Sequence, residues 1–219
     1  MKKYATTGLV LLAFAGLTGE AASQDITKTS VTPWYVGLGL GRTFATVPQQ
    51  SIDSEASSIA NLFGGTVVDS NNDTSHSTEG KVFLGYSFDR HIAIEVGYAT
   101  LGKASASALI SNGVSFQVLN LEYKMSAPFV DAVGTLPLDE KWSLIGRVGI
   151  AYARTSASDS FGGSISETKL REKFGAGVDY NLNPAFTVRA EWENYRMPDP
   201  LTDGYFRVNA AVLSALFHF

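Results

Sequence analysis

The chain has 219 residues, of which 45% are apolar and only 17% charged, with a formal net charge of -4 and no cysteine. Charged residues make up about a quarter of an ordinary soluble domain, so this chain has few charged residues for a solvent-exposed surface. The lack of cysteine excludes a disulfide framework and a thiolate metal site. The mild charge, with no basic cluster, gives no reason to expect nucleic acid as a partner.

The N-terminus is typical of a signal peptide. Two lysines near the start precede an apolar run at 8–17, and small residues follow it. Ten apolar residues are too few to span a bilayer, which takes about 20. We expect residues 1–23 to be cleaved, residues 24–33 to form a short periplasmic segment, and residues 34–219 to form the folded domain. No other stretch resembles a transmembrane helix.

From Trp34 onwards the apolar residues recur with a period of two, which predicts β-strands with one apolar face. Eight strands are predicted, at 34–46, 79–88, 91–101, 115–137, 141–155, 168–180, 185–196 and 205–219. Three short connections, at 89–90, 138–141 and 181–184, alternate with four long ones, at 47–78, 102–114, 156–167 and 197–204. This alternation indicates an up-and-down meander with both chain ends at the short-turn end.

Two local features stand out within this pattern. Ile52, Ala56 and Ile59 would share one face of a helix in the first long connection, although a disordered serine-rich loop is an equal alternative. The fourth strand is unusually long and contains Pro128, and the parity of its apolar residues changes there. Because proline within a strand usually marks a bulge or an edge, we expect a break near 126–128.

The two faces of the predicted sheet differ in kind. In the third strand Ile92, Ile94 and Val96 alternate with Ala93 and Glu95. Across all strands one face is apolar, with aromatic residues towards the strand ends, while the other is dominated by glycine and small residues. A soluble barrel would carry charges on its wet face, whereas small residues suit the inside of a narrow barrel. We therefore expect the apolar face to contact lipid and the sheet to close on itself, because lipid cannot satisfy an open edge.

Several segments resemble the OmpA-type family of eight-stranded outer-membrane barrels: "WYVGLGLGRT", "LGYSFDRHIAIEVGYATLG", "LPLDEKWSLIGRVGIAYAR", "FGAGVDYNLNPAFTVRAEWENY" and "ALFHF". The resemblance covers the strands and turns but not the long loops, and it extends to the barrel domain only, without the peptidoglycan-binding domain. It implies an all-β, antiparallel up-and-down transmembrane β-barrel with short periplasmic turns and long extracellular loops. The implied location is the outer membrane of a Gram-negative bacterium.

The resemblance also implies partners. These are outer-membrane lipid and lipopolysaccharide, together with the outer-membrane assembly machinery, for which Phe217 and Phe219 resemble the C-terminal signal. We expect a monomer that binds no nucleic acid.

A set of charged residues has inward parity: Glu95, Asp179, Arg147, Arg189 and Glu191. An eight-stranded interior is just wide enough for side chains, and an unpaired buried charge costs several kcal/mol, so these groups should pair. The resemblance implies a similar network at Glu95, Asp179, Arg147 and Arg189. We interpret it as structural; the alternative is a gated proton or ion path.

No catalytic, cofactor-binding or metal site is predicted. His76 stands alone in a hydrophilic loop, and the surrounding stretch at 69–80 departs from a calcium-binding loop at two required positions. The run "GLGLG" at 37–41 lies within a strand and lacks the helix that a phosphate-binding loop needs. We expect a structural outer-membrane protein that contributes to envelope integrity and presents surface loops. A loop-mediated adhesin or ligand-binding barrel is the first alternative, and a lipid-modifying outer-membrane enzyme is the second.

Overall fold

The computed structural model describes residues 33–62, 64–71, 75–160, 162–202 and 204–219. The expected signal peptide and most of the expected N-terminal segment lie outside the described residues. The elements are β1 (Trp34–Ala45), α1 (Gln49–Leu62), β2 (Thr66–Asn71), β3 (Ser75–Ser87), β4 (Ile92–Ser111), β5 (Phe116–Pro137), β6 (Trp142–Asp159), β7 (Ser164–Asn183), β8 (Phe186–Pro198) and β9 (Tyr205–His218). In the described part of the chain, no helix has both the length and the apolar character needed to cross a membrane.

Eight of the strands form a closed ring in which every neighbour is antiparallel. The order runs β4, β3, β1, β9, β8, β7, β6, β5, and pairing of β4 with β5 closes it. The first and last ring strands meet directly, with Tyr35 opposite His218. The predicted all-β, eight-stranded up-and-down barrel is confirmed. β2 lies outside the ring and pairs only with the loop-side part of β4.

The three short turns are built in the same way. The side-chain oxygen Oδ1 of Asp89 accepts backbone N–H bonds at 2.6 and 2.9 Å, that of Asp139 at 2.7 and 2.7 Å, and that of Asn183 at 2.9 and 3.0 Å. Bonding to backbone N–H groups favours the charged carboxylate. It therefore lowers the pKa of Asp89, chiefly through His91, and the pKa of Asp139, chiefly through Trp142.

Two of the predicted long loops are largely strand, so those loop boundaries are wrong. β4 continues through the run "KASASALIS" to Ser111, and β6 and β7 meet across only 160–163. The serine content of this run is typical of a loop, but its alternate residues Ala104, Ala106 and Ala108 are buried inside the barrel. This segment is therefore a strand whose inward face consists of small, buried residues. Strands of 18 to 22 residues also far exceed the roughly 9–11 that cross a bilayer.

The expected break near 126–128 is absent: β5 is continuous from Phe116 to Pro137. The irregularity lies instead in the partner strand β4, where Leu101 is an extra residue between two register pairs. Pro128 is exposed on the outer face, where its missing N–H interrupts pairing with β6 without shifting the register. Odd-numbered residues point inward along β5. The apolar residues move from odd to even positions because the interior is apolar on the loop side and charged at the level of the lipid-facing band.

The outer face carries a lipid-facing band of exposed apolar side chains, which includes Leu38, Leu40, Val82, Ile94, Val96, Val130, Val148, Ile150 and Leu213. Aromatic residues lie at both edges of this band. Trp34, Trp142 and Phe217 mark the short-turn edge, and Tyr152 and Trp192 mark the loop-side edge. An apolar band between two aromatic girdles is the outer surface of a transmembrane β-barrel.

The first long connection folds into a helix, so the helical alternative is the correct one. α1 buries Ile52, Ala56 and Ala60, and it ends at Leu62, two residues before Gly64, which adopts a positive φ of 64°. The helix packs against β2 and β4, while the Ser51 hydroxyl donates to Asp199 in the β8–β9 connection. α1 therefore joins segments from separate parts of the ring at its loop-side end.

Candidate functional site

The interior of the barrel has two layers. At the level of the lipid-facing band it is filled by charged side chains. On the loop side it is apolar and is covered by α1; we call this layer the apolar upper interior, and it comprises Leu101, Leu119, Leu121, Tyr123, Met197, Phe206 and Val208.

Glycine makes room for large side chains in the charged layer. A Cβ atom on Gly37 would lie 2.1 Å from the Phe83 ring, and one on Gly85 would lie 2.1 Å from the Tyr35 ring. Neither distance is compatible with a side chain. The glycine-rich inner face is therefore a packing requirement of a narrow, filled lumen.

Glu95 is the centre of one half of the charge network. Its Oε1 accepts from Arg189 Nη1 at 2.6 Å and from the Tyr35 hydroxyl at 2.8 Å, and its Oε2 accepts from Arg147 Nη1 at 3.0 Å. Arg189 in turn makes a two-pronged contact with Asp179, at 2.7 and 2.9 Å. Charge-assisted pairs of this kind are stronger and more directional than neutral hydrogen bonds.

Arg147 links this half to the other acids. Its Nη1 donates to Asp131 Oδ2 at 3.0 Å, and its Nη2 lies 2.5 Å from Glu191 Oε2. The side chains of Glu95, Asp131, Arg147 and Glu191 have no exposed surface. These charges can satisfy one another only inside the barrel.

Two lysines hold the other half together. Lys173 Nζ contacts Asp131 at 2.5 Å and Glu193 at 2.7 Å. Lys81 Nζ contacts Glu193 at 2.9 Å and also pairs with Glu191. Lys173 Nζ lies 4.2 Å from the centre of the Phe129 ring, a distance at which the ring attracts the cation.

The complete buried network, within the described residues, contains four cations and six acidic side chains: Lys81, Arg147, Lys173, Arg189, Glu79, Glu95, Asp131, Asp179, Glu191 and Glu193. Glu79 is the acid at the boundary with the apolar upper interior, and its Oε1 lies 3.3 Å from the Tyr195 hydroxyl. Towards the short-turn end, a cavity of about 330 Å³ has Tyr35, Asp179 and Arg189 in its lining.

The structure brings together all five charged residues expected from the sequence, namely Glu95, Asp179, Arg147, Arg189 and Glu191. Sequence reasoning missed Lys81, Asp131, Lys173, Glu193 and Glu79 as members of the network. Lys173 shares the parity of Asp179 on β7, and Glu193 shares that of Glu191 on β8. Asp131 alternates with the outward apolar residues Val130 and Ala132 on β5. Parity alone could therefore have found them.

The remaining sequence motifs lie elsewhere. The ring of His76 packs edge-on against Phe44, 5.2 Å away, while His91 and His218 lie at the short-turn end. The near-calcium-binding stretch is split between β2 and β3, and its residues 72–74 lie outside the described ranges. Among the described residues no group of three or more His, Asp or Glu side chains is arranged to hold a metal ion.

The expected assembly signal lies at the seam between the first and last strands. Phe217 is exposed and pairs with Val36 of β1, and Phe219 stacks on it with ring centres 6.2 Å apart. The backbone N–H of Phe219 donates to the carbonyl of Trp34 at 3.2 Å.

A closed ring of eight antiparallel strands, apolar outside and charged within, defines an integral outer-membrane β-barrel. The chain belongs to the family described as "Outer membrane protein beta-barrel domain", whose model matches residues 9–219. It is similar to "Outer membrane protein A" of Escherichia coli O157:H7, at 24% identity over 88% of this chain and 47% of that protein. The chain thus spans about half the length of this relative.

Two further similarities are more limited. The "Attachment invasion locus protein" of Yersinia pseudotuberculosis is 29% identical over 84 residues, which cover 38% of this chain and 45% of that protein. The crystal structure of Neisserial surface protein A superposes with a TM-score of 0.58 at 13% identity, over 86% of this chain and 98% of that one. The latter likeness shows the fold alone.

Proposed function

We propose that the protein is a structural, non-catalytic barrel that is closed to solutes and supports a rigid surface outside the cell. The buried charge network carries this proposal. Four cations pair directly with five acids within the lumen, and the sixth acid, Glu79, contacts the Tyr195 hydroxyl; an open pore would instead hold water between these groups.

The second support is the apolar upper interior. Leu101, Tyr123 and Met197 are fully buried beneath α1, so a solute that passed the charges would next meet a packed apolar layer. Burial of this area also stabilises the long strands beyond the membrane, because apolar burial contributes about 25 cal/mol per Å². The loop side is then a folded extension of the barrel.

Conductance tests the proposal. Purified protein reconstituted in planar bilayers should give at most small, intermittent currents, because no continuous aqueous path is expected. The matched variants Arg147→Ala and Lys103→Ala each remove one cation, the first from the lumen and the second from the exposed surface. Only the first should increase the currents. Steady porin-like currents from the unaltered protein would overturn the proposal.

Attachment through the loop side is the second candidate, and one observation favours it. The β4–β5 hairpin exposes Val114, Phe116 and Val118, with 94%, 69% and 56% of their surface accessible. Its tip is ordered by Asn112, whose Oδ1 accepts from the N–H groups of Val114 and Ser115 at 3.1 and 2.8 Å. An exposed apolar tip on a rigid hairpin suits contact with another surface, and one relative is named for attachment.

Cells that display the protein can test this candidate. Phe116→Ser should reduce adherence to host cells, whereas Ser164→Ala, at the neighbouring β6–β7 hairpin, should leave it unchanged. Equal adherence of both variants and the parent would contradict attachment through this tip. The barrel proposal would stand, because neither substitution touches the lumen.

A further inference from the structure

The outer surface is electrically asymmetric. On the loop side of the lipid-facing band, the outward faces of the ring strands carry six basic and two acidic residues among those described: Arg42, Lys103, Lys124, Arg154, Arg196, Arg207, Glu122 and Glu172. We call this set the loop-side collar. The exposed turns at the opposite end carry three acids and two bases: Asp89, Asp139, Glu140, Arg90 and Lys141. The asymmetry favours an anionic lipid surface at the outer leaflet.

Part of the collar is neutralised internally. Glu122 pairs with Lys103 and Lys124 at 3.1 and 3.3 Å, and Glu172 pairs with Arg196. Within the described residues, Arg42, Arg154 and Arg207 have no such carboxylate. The cross-strand neighbours of Arg42 are Thr78 and Ala211, which carry no charge.

Arg42 and Arg207 lie on neighbouring strands of the same seam. Phe44 and Asn209 face each other between them, and Arg207 lies directly opposite Arg196. Arg207 lies four residue steps along β9 from Ala211, the residue opposite Arg42, which is a distance of roughly 13 Å along the strand. A depression of about 520 Å³ lies there, lined by Phe44, Thr46, Tyr205, Phe206, Arg207 and Asn209.

An apolar groove lies on the membrane side of Arg42. It has a volume of about 740 Å³, and its lining includes Leu38, Leu40, Val82, Tyr98, Leu213 and Ala215. The outward residues Gly80 and Ala215 are small, so the surface is lower there than at the surrounding leucines. The groove is within the lipid-facing band, where acyl chains are the available occupants.

We propose that this seam is a binding site for the lipid A part of lipopolysaccharide. An acyl chain would lie in the groove, Arg42 would bind a phosphate through its planar pair of N–H donors, and the depression would hold the sugar. One face of Phe44 stacks on Trp192, and Arg196 lies 4.0 Å over the Tyr205 ring. The Tyr205 hydroxyl and the amide N–H groups of Asn209 are therefore the groups offered to that sugar. Arg207, at the far side of the depression, would bind a second phosphate. The site lies on the outer face and does not depend on whether the lumen is sealed.

Binding of purified lipids to the detergent-solubilised barrel tests this assignment. The probes are bisphosphorylated lipid A, its monophosphorylated form and phosphatidylglycerol, measured by native mass spectrometry and by titration. Wild-type protein should bind bisphosphorylated lipid A most tightly and the monophosphorylated form more weakly. Equal or tighter binding of phosphatidylglycerol would overturn the choice of lipid A.

Variants locate the site. Arg42→Gln combined with Arg207→Gln should weaken binding of bisphosphorylated lipid A by about tenfold or more, because two charge-assisted contacts are lost. Arg154→Gln is the matched control, since Arg154 is an exposed loop-side arginine outside the groove. It should change binding by less than about twofold, as expected for a rim charge in high dielectric. An equal loss in Arg154→Gln, or no loss in the double variant, would overturn the site.

A groove variant makes the test independent of charge. Ala215→Leu should fill the groove and weaken binding of lipid A while leaving every arginine in place. Resistance to cold detergent on gels shows that each variant is folded before its binding is measured. If Ala215→Leu is folded and binds as the parent does, the acyl chain does not occupy this groove and the assignment fails.

Discussion

Glu95 on β4 and Arg189 on β8 pair across the lumen, with Oε1 and Nη1 2.6 Å apart. Three strands, β3, β1 and β9, separate β4 from β8 in the ring, so this pair connects positions that no backbone ladder joins. Arg189 is also held by Asp179, at 2.7 Å from its Nε. The charge network therefore links non-neighbouring strands of the barrel and also fills its lumen.

Loss of a lumen cation should destabilise the barrel strongly. Lys173→Met leaves Asp131 and Glu193 with fewer partners and an intact desolvation penalty, so we expect a cost of about 3–5 kcal/mol. Lys103→Met removes an exposed pair with Glu122 and should cost about 0–1 kcal/mol. Urea unfolding in lipid vesicles, followed by tryptophan fluorescence, measures both. Similar unfolding free energies for the two variants would show that Lys173 is solvated.

Glycine at the inner face should not tolerate a side chain. Gly37→Ala places a methyl group 2.1 Å from the Phe83 ring, and such overpacking costs about 1–3 kcal/mol. Gly134→Ala is the matched control, because its nearest neighbour would be 3.8 Å away. Unfolding of the two variants under the same conditions compares them. Equal stability would indicate a lumen looser than the packing described above.

Anchoring of α1 should depend on its buried face. Ile52 is fully buried, so Ile52→Asp places a charge in the apolar upper interior and should release the segment that contains the helix. Limited proteolysis should then cut within 46–74 while the barrel keeps its resistance to cold detergent. Leu62→Asp, at a position 84% exposed, is the control and should be cut no faster than the parent. Equal resistance of Ile52→Asp would mean that other contacts hold the helix.

The short turns should contribute stability that depends on acid pH. The pKa of Asp139 is lowered from its ordinary value of 3.8 by the N–H groups of Trp142 and Lys141, so its contribution is complete above the unfolded pKa. That contribution should be lost as the pH falls through the lowered value. Asp139→Asn keeps the acceptor oxygen, as Asn183 does in the third turn. Urea midpoints between pH 5 and pH 2 should therefore fall less in this variant than in the parent, and identical slopes would contradict the prediction.

The strand pattern was readable from the sequence because one face meets lipid and the other meets a narrow lumen. That contrast forces a period of two, and it predicted Glu95, Arg147 and Arg189 as inward residues. The contrast disappears beyond the membrane, where "KASASALIS" alternates serine with alanine and resembles a loop. Asp131 was missed although it alternates with the outward residues Val130 and Ala132, so its inward parity was readable from the sequence. The partners of each charge come from strands far apart in the chain, and only the closed ring defines them.

The central claim is that the lumen charges are paired and not solvated, and a double-mutant cycle between Glu95 and Arg189 tests it most directly. Glu95→Gln, Arg189→Gln and the double variant would be unfolded in urea beside the parent, and the coupling free energy would be taken from the four values. We predict that each single variant is strongly destabilised and that the double variant loses clearly less than their sum, with a coupling of about 1–3 kcal/mol. Additive losses, or single variants as stable as the parent, would contradict a paired and packed lumen.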